Sequence, residues 1–254
     1  MKDRHIDTSW ESSSLWYDKT VGAQGHYYHR QVVLPGALKL LGLKPNDSLL
    51  DLACGQGILA RHIPKAVSYL GVDASRSLIQ SAKQTRVHPS HLFAVHDLNL
   101  PLTLDHPPFT HAACILALQN IDSPETLFQT ASLALKSQGT LVLVINHPCF
   151  RIPRQSHWGI DPQKKLQYRR LDMYMSALKI PIQTHPSQKN DSPTTWSFHR
   201  PLSTYTRLLK EAGFNISAIE EWCSDKKSTG KMASVENRSR QEFPLFLAIA
   251  AQKN

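Results

Sequence analysis

The residues best suited to chemistry lie in Leu49-Leu50-Asp51-Leu52-Ala53-Cys54-Gly55-Gln56-Gly57. An apolar run ends in Asp51, and Gly55 and Gly57 bracket a tight turn where missing side chains let the backbone approach a ligand. Sixteen residues past Gly57 a second apolar run ends in Asp73, a carboxylate placed to accept hydrogen bonds from two ribose hydroxyls. Together these features describe a nucleoside site in an α/β protein. The run Gly55 to Ala60 also satisfies the dinucleotide pattern G-x-G-x-x-A. Two details point away from a dinucleotide. Asp51 stands where it would help hold an ammonium group but would sit poorly beside a pyrophosphate, and the loop follows a leader of nearly fifty residues.

The elements that must position these residues alternate along the chain. Strands are expected at 48–53, 68–73, 91–95, 110–118 and 140–146, with helices over 57–66, 75–86 and from Pro124 to a stop at Gly139. Ser123 is the expected N-cap, with Pro124 at the first helical position. The strands are nearly all apolar, the pattern of a parallel sheet covered by helices on both faces. After the fifth strand the rhythm stops. Residues 147–200 are rich in Pro, Gln, His and Arg, with one helical stretch expected around 166–178, and are too long for an ordinary connection. A helix from Leu202 to Gly213 and strands at 215–222 and 243–253 close the chain.

Composition bounds the remaining options. At 254 residues, 41% hydrophobic and 19% charged, the chain is that of a folded protein. It has neither a signal-peptide core near the start nor an apolar run of membrane-spanning length, so membrane insertion is not expected. Its four cysteines have no metal-site spacing and suggest a reduced, cytoplasmic setting. His26 and His29 have no carboxylate or thiol beside them in the sequence, and no metal is expected. Net charge is +9 and uneven: residues 1–149 carry 12 basic and 11 acidic side chains, residues 150–254 carry 17 and 9. Within residues 150–200 there are nine basic against three acidic side chains, interleaved with Trp158, Tyr168, Trp196 and Phe198. Such a segment favours anionic or planar partners.

With these motifs in order, the sequence resembles the class I S-adenosylmethionine-dependent methyltransferases of small-molecule type, over roughly 48–146 and 201–252. DLACGQG at 51–57 is similar to the family's glycine loop. The resemblance implies that Asp51, Ala53, Gly55, Gln56 and Gly57 surround the methionine half of S-adenosylmethionine, and that Asp73 and Ala74 meet its ribose. HDLNLPL at 96–102 resembles the adenine segment, with Asp97 accepting from the exocyclic amine and Leu98 against the ring. LALQNID at 116–122 resembles the stretch after strand four, which brings the Ile115 carbonyl near the cofactor. The leader resembles a lid: Tyr17, Tyr27, Tyr28, His26, His29 and Arg30 are candidates to close over the cofactor, Arg30 near its carboxylate. The implied fold is a Rossmann-like, seven-stranded, mostly parallel sheet with an antiparallel last strand and helices on both faces.

The chain is therefore read as one methyltransferase domain over 1–254, with an N-terminal cap at 1–46 and the 147–200 insertion forming the substrate pocket. The sequence lacks the [DN]PPY motif of many base-amine methyltransferases, and Cys149 has no partner cysteine in a catalytic context, so Cys54 and Cys149 are read as structural. The expected acceptor is a small molecule, anionic or aromatic, held by Arg151, Arg154, Trp158 and Trp196. For an acidic acceptor the candidate bases are His147, at the carboxyl end of strand five, then His199 and Glu236. An RNA or tRNA methyltransferase, favoured by the basic excess, and a cofactor-binding protein without turnover are the alternatives.

Overall fold

The computed structural model describes residues 8–22, 25–106, 108–183 and 194–254. Its centre is a seven-stranded sheet formed by β1 (Ser48–Leu52), β2 (Ser68–Asp73), β3 (His91–Val95), β4 (Phe109–Ile115), β5 (Leu135–Asn146), β10 (Phe214–Trp222) and β11 (Phe246–Lys253). The spatial order is β10-β11-β5-β4-β1-β2-β3. Parallel pairing runs from β5 through β4, β1 and β2 to β3, while β11 is antiparallel to both β5 and β10. This is the implied Rossmann-like architecture with its reversed last strand.

Alternation along the strands fills two cores, one on each face. Leu50, Leu52, Cys114, Leu141 and Leu143 face α4 (Pro124–Ala134) and α5 (Leu202–Glu211). Leu49, Tyr69, Ala113, Val142 and Val144 face the side of α2 (Leu34–Leu41) and α3 (Arg76–Gln84). Burial on both faces explains the continuous apolar strands. Within α3, Leu78, Ile79 and Ala82 are the buried stripe, and Ser75 caps the helix by accepting from the Leu78 N–H at 3.2 Å.

Several expected elements change on folding. The helix expected at 57–66 is a single tight turn, Leu59–Arg61, because Pro64 removes a backbone donor. The helix from Pro124 stops at Ala134, its Ser123 N-cap makes no side-chain hydrogen bond, and Leu135 already pairs with Phe109, so β5 starts five residues early. The helical stretch expected at 166–178 is instead strand β7 (Leu166–Leu171), hairpinned to β6 (Ser156–Asp161). Turn chemistry decides this: the Asp161 carboxylate accepts from the Lys164 N–H at 2.9 Å and Lys165 takes φ 50°, closing the chain back on itself. A second hairpin follows, β8 (Leu178–Gln183) with β9 (Thr194–His199). The span between the last two strands holds a polar helix, α6 (Ala233–Glu242), which lacks an apolar face and leans on β7 through Ser239, whose hydroxyl donates to the Gln167 side-chain Oε1 at 2.5 Å.

Candidate active site

The carboxyl ends of β1, β2, β3 and β4 open on a cavity of about 460 Å³, within the size range of small-molecule sites. Its walls at that edge are Ala53 and Gly55 after β1, Asp73 and Ala74 at the end of β2, Asp97 to Asn99 after β3, and Ile115 to Ala117 after β4. Ala53 (φ 62°) and Gly55 (φ 56°) take left-handed conformations that sharpen the turn, and a Cβ built on Gly55 would stand 3.7 Å from the Tyr17 ring. Gly57 serves packing instead. It is absent from the cavity wall, has φ 77°, and an added Cβ would lie 2.9 Å from Phe93.

Two carboxylates underlie this edge, Asp73 half-buried at the wall and Asp51 buried behind it. Asp73 accepts from the Gly55 N–H through Oδ2 and the Ser75 N–H through Oδ1, both at 2.9 Å, which fixes its plane at the cavity wall. Burial raises its pKa against those two hydrogen bonds. Asp51, 2% exposed, sits behind the wall and accepts from the Tyr69 hydroxyl at 2.6 Å. Burial pushes it up to about 7, assisted by the charge of Asp73. Gln56 is also behind the wall, its amide donating to the Gly22 carbonyl at 3.1 Å and tying the glycine loop to the cap. Asp97 accepts through Oδ1 from the Asn99 backbone at 2.9 Å and side chain at 2.8 Å.

The cap is latched onto the sheet by named contacts. It comprises α1 (Ser14–Val21), the preceding turn Glu11–Ser13 and a wide π-helical turn His29–Val33. Glu11 accepts from Ser75 Oγ at 2.6 Å, Ser77 Oγ at 2.5 Å and Ser77 N at 3.1 Å, crowning the start of α3, where a negative charge is favoured. These hydrogen bonds hold its pKa below the ordinary value. Ser81 Oγ donates to Asp18 at 3.0 Å. The latch presents Trp10, Trp16, Tyr17, His26, Tyr28 and His29 to the cavity. Burial lowers the pKa of His29 to about 4 and also lowers that of His26, so both rings are neutral at pH 7. Arg30, expected near the cofactor carboxylate, is exposed and does not line the cavity.

Beyond β4 the cavity continues over β5 and β11. Asn146 and Phe246, register partners at the ends of these strands, form its floor, and Arg151 lies above them. The Arg151 guanidinium donates to Asn146 Oδ1 at 2.7 Å and stacks 5.4 Å from the Phe246 ring. It makes no carboxylate ion pair among the described residues, and burial lowers its pKa. The insertion adds Pro153, Ile182, Thr195 and Ser197 to the wall.

All three candidate bases lie elsewhere. His147 follows Asn146, and strand alternation sends its side chain away from the cavity: Nε2 donates to Glu221 Oε1 at 2.7 Å while Nδ1 accepts from the Cys149 N–H at 3.2 Å. His199 donates to the Tyr174 carbonyl at 2.7 Å and is buried. Glu236 lies on α6, 3.7 Å from Arg240. Arg154 is exposed. Trp158 packs edge-on against Phe243, under Arg169. Trp196 is on the opposite face of β9 from Thr195 and Ser197, with Lys179 over its ring. The residues sequence reasoning passed over, Asn146, Phe246, Thr195 and Ser197, each neighbour one that was chosen or a strand end. A period-two reading from the strand register would have found them.

A family model described as a methyltransferase domain matches residues 26–219, and the chain belongs to that family. Its structure is similar to an S-adenosylmethionine-dependent methyltransferase from Mesorhizobium loti, with TM-score 0.68 and 26% identity over 86% of this chain and 96% of that one. It shares the fold of a glycopeptide N-methyltransferase solved with S-adenosylmethionine, TM-score 0.55 and 15% identity over 96% and 98% of the two chains. A 2-phytyl-1,4-naphtoquinone methyltransferase of Trichormus variabilis is 30% identical over 120 residues, 44% of this chain and 52% of the relative. The match thus spans about half the length of that relative.

Proposed function

We propose that the protein transfers the methyl group of S-adenosylmethionine to a small aromatic acceptor bearing an anionic or strongly polarised oxygen, as a deprotonated quinol does. The observation that carries the acceptor class is Arg151, a cation on the cavity wall. A half-buried cation whose described partners are a neutral amide and an aromatic ring favours an anion or an oxygen with high negative charge density. Phe246 and Tyr28 offer flat walls beside it, and the name of the naphtoquinone methyltransferase relative supports a ring of that class.

The donor set fits the cofactor. Asp73, oriented by two backbone N–H groups, would take the ribose hydroxyls, Asp97 and Leu98 on the cavity wall would meet the adenine, and Ala53 and Gly55 would meet the methionine end. A cationic ligand favours the ionised forms of Asp73 at the cavity wall and Asp51 behind it, whose pKa values burial raises. When bound, S-adenosylmethionine supplies a methyl already activated on a sulfonium. The chain's task is then to hold the acceptor oxygen in line and exclude water. Arg151 and Asn146 hold the oxygen, and the cap closes the cavity. His26 accepts from the Tyr28 N–H at Nδ1 (3.2 Å), so its neutral form carries the proton on Nε2, the ring atom able to donate to a bound acceptor. The four cysteines are free thiols, in keeping with work in the cytoplasm.

Arg151→Gln tests the reading. Loss of a charge-assisted contact worth about 1.5–3 kcal/mol raises KM for the best acceptor by roughly 10- to 150-fold and leaves affinity for S-adenosylhomocysteine unchanged. A fall in S-adenosylhomocysteine affinity instead would place Arg151 on the cofactor carboxylate. Unchanged turnover would remove the anionic acceptor.

A further inference from the structure

Of the fifteen large apolar side chains exposed among the described residues, six fall within residues 158–175: Trp158, Ile160, Tyr168, Leu171, Met173 and Met175. Residues 151–183 also carry seven basic and two acidic side chains. Apolar and basic side chains clustered on one segment are the composition of a surface that meets lipid headgroups and the acyl boundary.

The register shows how this surface is built. In the β6–β7 hairpin, Trp158 opposite Arg169 and Ile160 opposite Gln167 share one face, and Gln167 and Trp158 tie that face to α6 and Phe243. The opposite face presents His157 with Arg170, and Tyr168 seated across Gly159, outward. Lys164 and Lys165 occupy the exposed tip beside Ile160. The turn after β7 is fastened from below: the Tyr174 carbonyl accepts from His199 Nε2 at 2.7 Å and its hydroxyl accepts from the Leu202 N–H at 3.1 Å. Met173 and Met175 flank that anchor and stand 53% and 71% exposed. Six-residue strands separate tip from turn, so the surface extends about 20 Å.

We infer that the hairpin tip, its outward face and the Met173–Met175 turn together form a docking surface for an anionic lipid membrane. Charge complementarity selects the anionic surface, since each basic side chain near such a bilayer contributes about fivefold in binding. The aliphatic members separate lipid from nucleic acid. Ile160, Met173 and Met175, at 53%, 53% and 71% exposed, offer no stacking platform for a base, whereas all three gain by entering an apolar phase. The hairpin base is also pinned at the rim of the cavity, where Arg169 donates to the Phe150 carbonyl at 2.8 Å, next to Arg151. Docking would thus bring the mouth near the bilayer. The membrane contact itself stands apart from the identity of the acceptor.

The test is co-sedimentation of the full chain with vesicles of phosphatidylcholine alone and of phosphatidylcholine with an equal part of phosphatidylglycerol. Binding is expected to the mixed vesicles and at least about tenfold less to the neutral ones. Ile160→Ser, Met173→Ser and Met175→Ser combined keep the charge and lower binding by about tenfold or more. Lys164→Gln with Lys165→Gln lowers it by about fivefold per charge. Thermal midpoints matching the parent show that the variants are folded. Absence of binding to the mixed vesicles overturns the inference, as does binding that the serine variant leaves intact. Retention of the serine variant by a single-stranded RNA as tightly as the parent, with no vesicle binding, would assign the basic surface to nucleic acid instead.

Discussion

Asp51→Asn isolates the charge buried beneath the glycine loop. Asp51 is 2% exposed and its described partner is the Tyr69 hydroxyl, so burial raises it from 3.8 to about 7. A carboxyl whose folded value is raised keeps its proton in the native state while the unfolded chain gives it up. Its stabilising contribution is therefore complete below about pH 4 and is lost as pH rises to about 7. Between pH 4.5 and pH 8 the loss is about 3 kcal/mol. Asparagine still accepts from Tyr69 but introduces two buried donors, a cost of roughly 1–3 kcal/mol that does not vary with pH. Urea unfolding of both proteins at pH 4.5 and pH 8 therefore separates the two effects. The variant should gain about 3 kcal/mol relative to the parent on going from the lower to the higher pH, whatever its absolute stability. Curves that move in parallel would refute the account and show Asp51 ionised throughout, held by a positive group or by water.

Asp73→Ala removes both the ribose acceptor and the backbone anchors of Gly55 and Ser75, so S-adenosylhomocysteine affinity measured by calorimetry should fall by about 2–4 kcal/mol. An unchanged affinity would exclude the ribose role. Glu11→Gln weakens the latch on Ser75 and Ser77. Hydrogen exchange over 14–22 should then quicken, and S-adenosylhomocysteine should restore more protection there than in the parent. Because hydrogen bonds hold Glu11 below its ordinary value, the latch is intact above that value and loosens as pH falls through the lowered one. Exchange in the parent should therefore quicken on acidification; exchange over the cap that ignores both pH and ligand would make it ordinary packing.

The sequence by itself determined the strands of the sheet, by resemblance its reversed last strand, and the set of residues that meet at one edge of it. Each of these follows from local pattern: runs of apolar residues buried on both faces, Asp73 ending one such run, glycines at a turn. Even Asp97, Leu98 and Ile115 are at strand ends, where position along the chain sets position at the sheet edge. The half of the cavity over β5 and β11 obeyed a different rule. Whether Asn146 or His147 faces the cavity depends on the pairing of β5 with β11 and on Glu221 of β10 drawing His147 the other way. Thr195 and Ser197 rather than Trp196 reach the wall for the same reason, a one-residue alternation fixed by pairing with β8. The β6–β7 hairpin arose where helical periodicity was expected, because the Asp161 turn and contacts to α6 outweighed it. Local propensity is encoded in neighbouring residues, but the direction of a side chain at a shared cavity is set by partners distant in sequence, and only the folded chain brings those together.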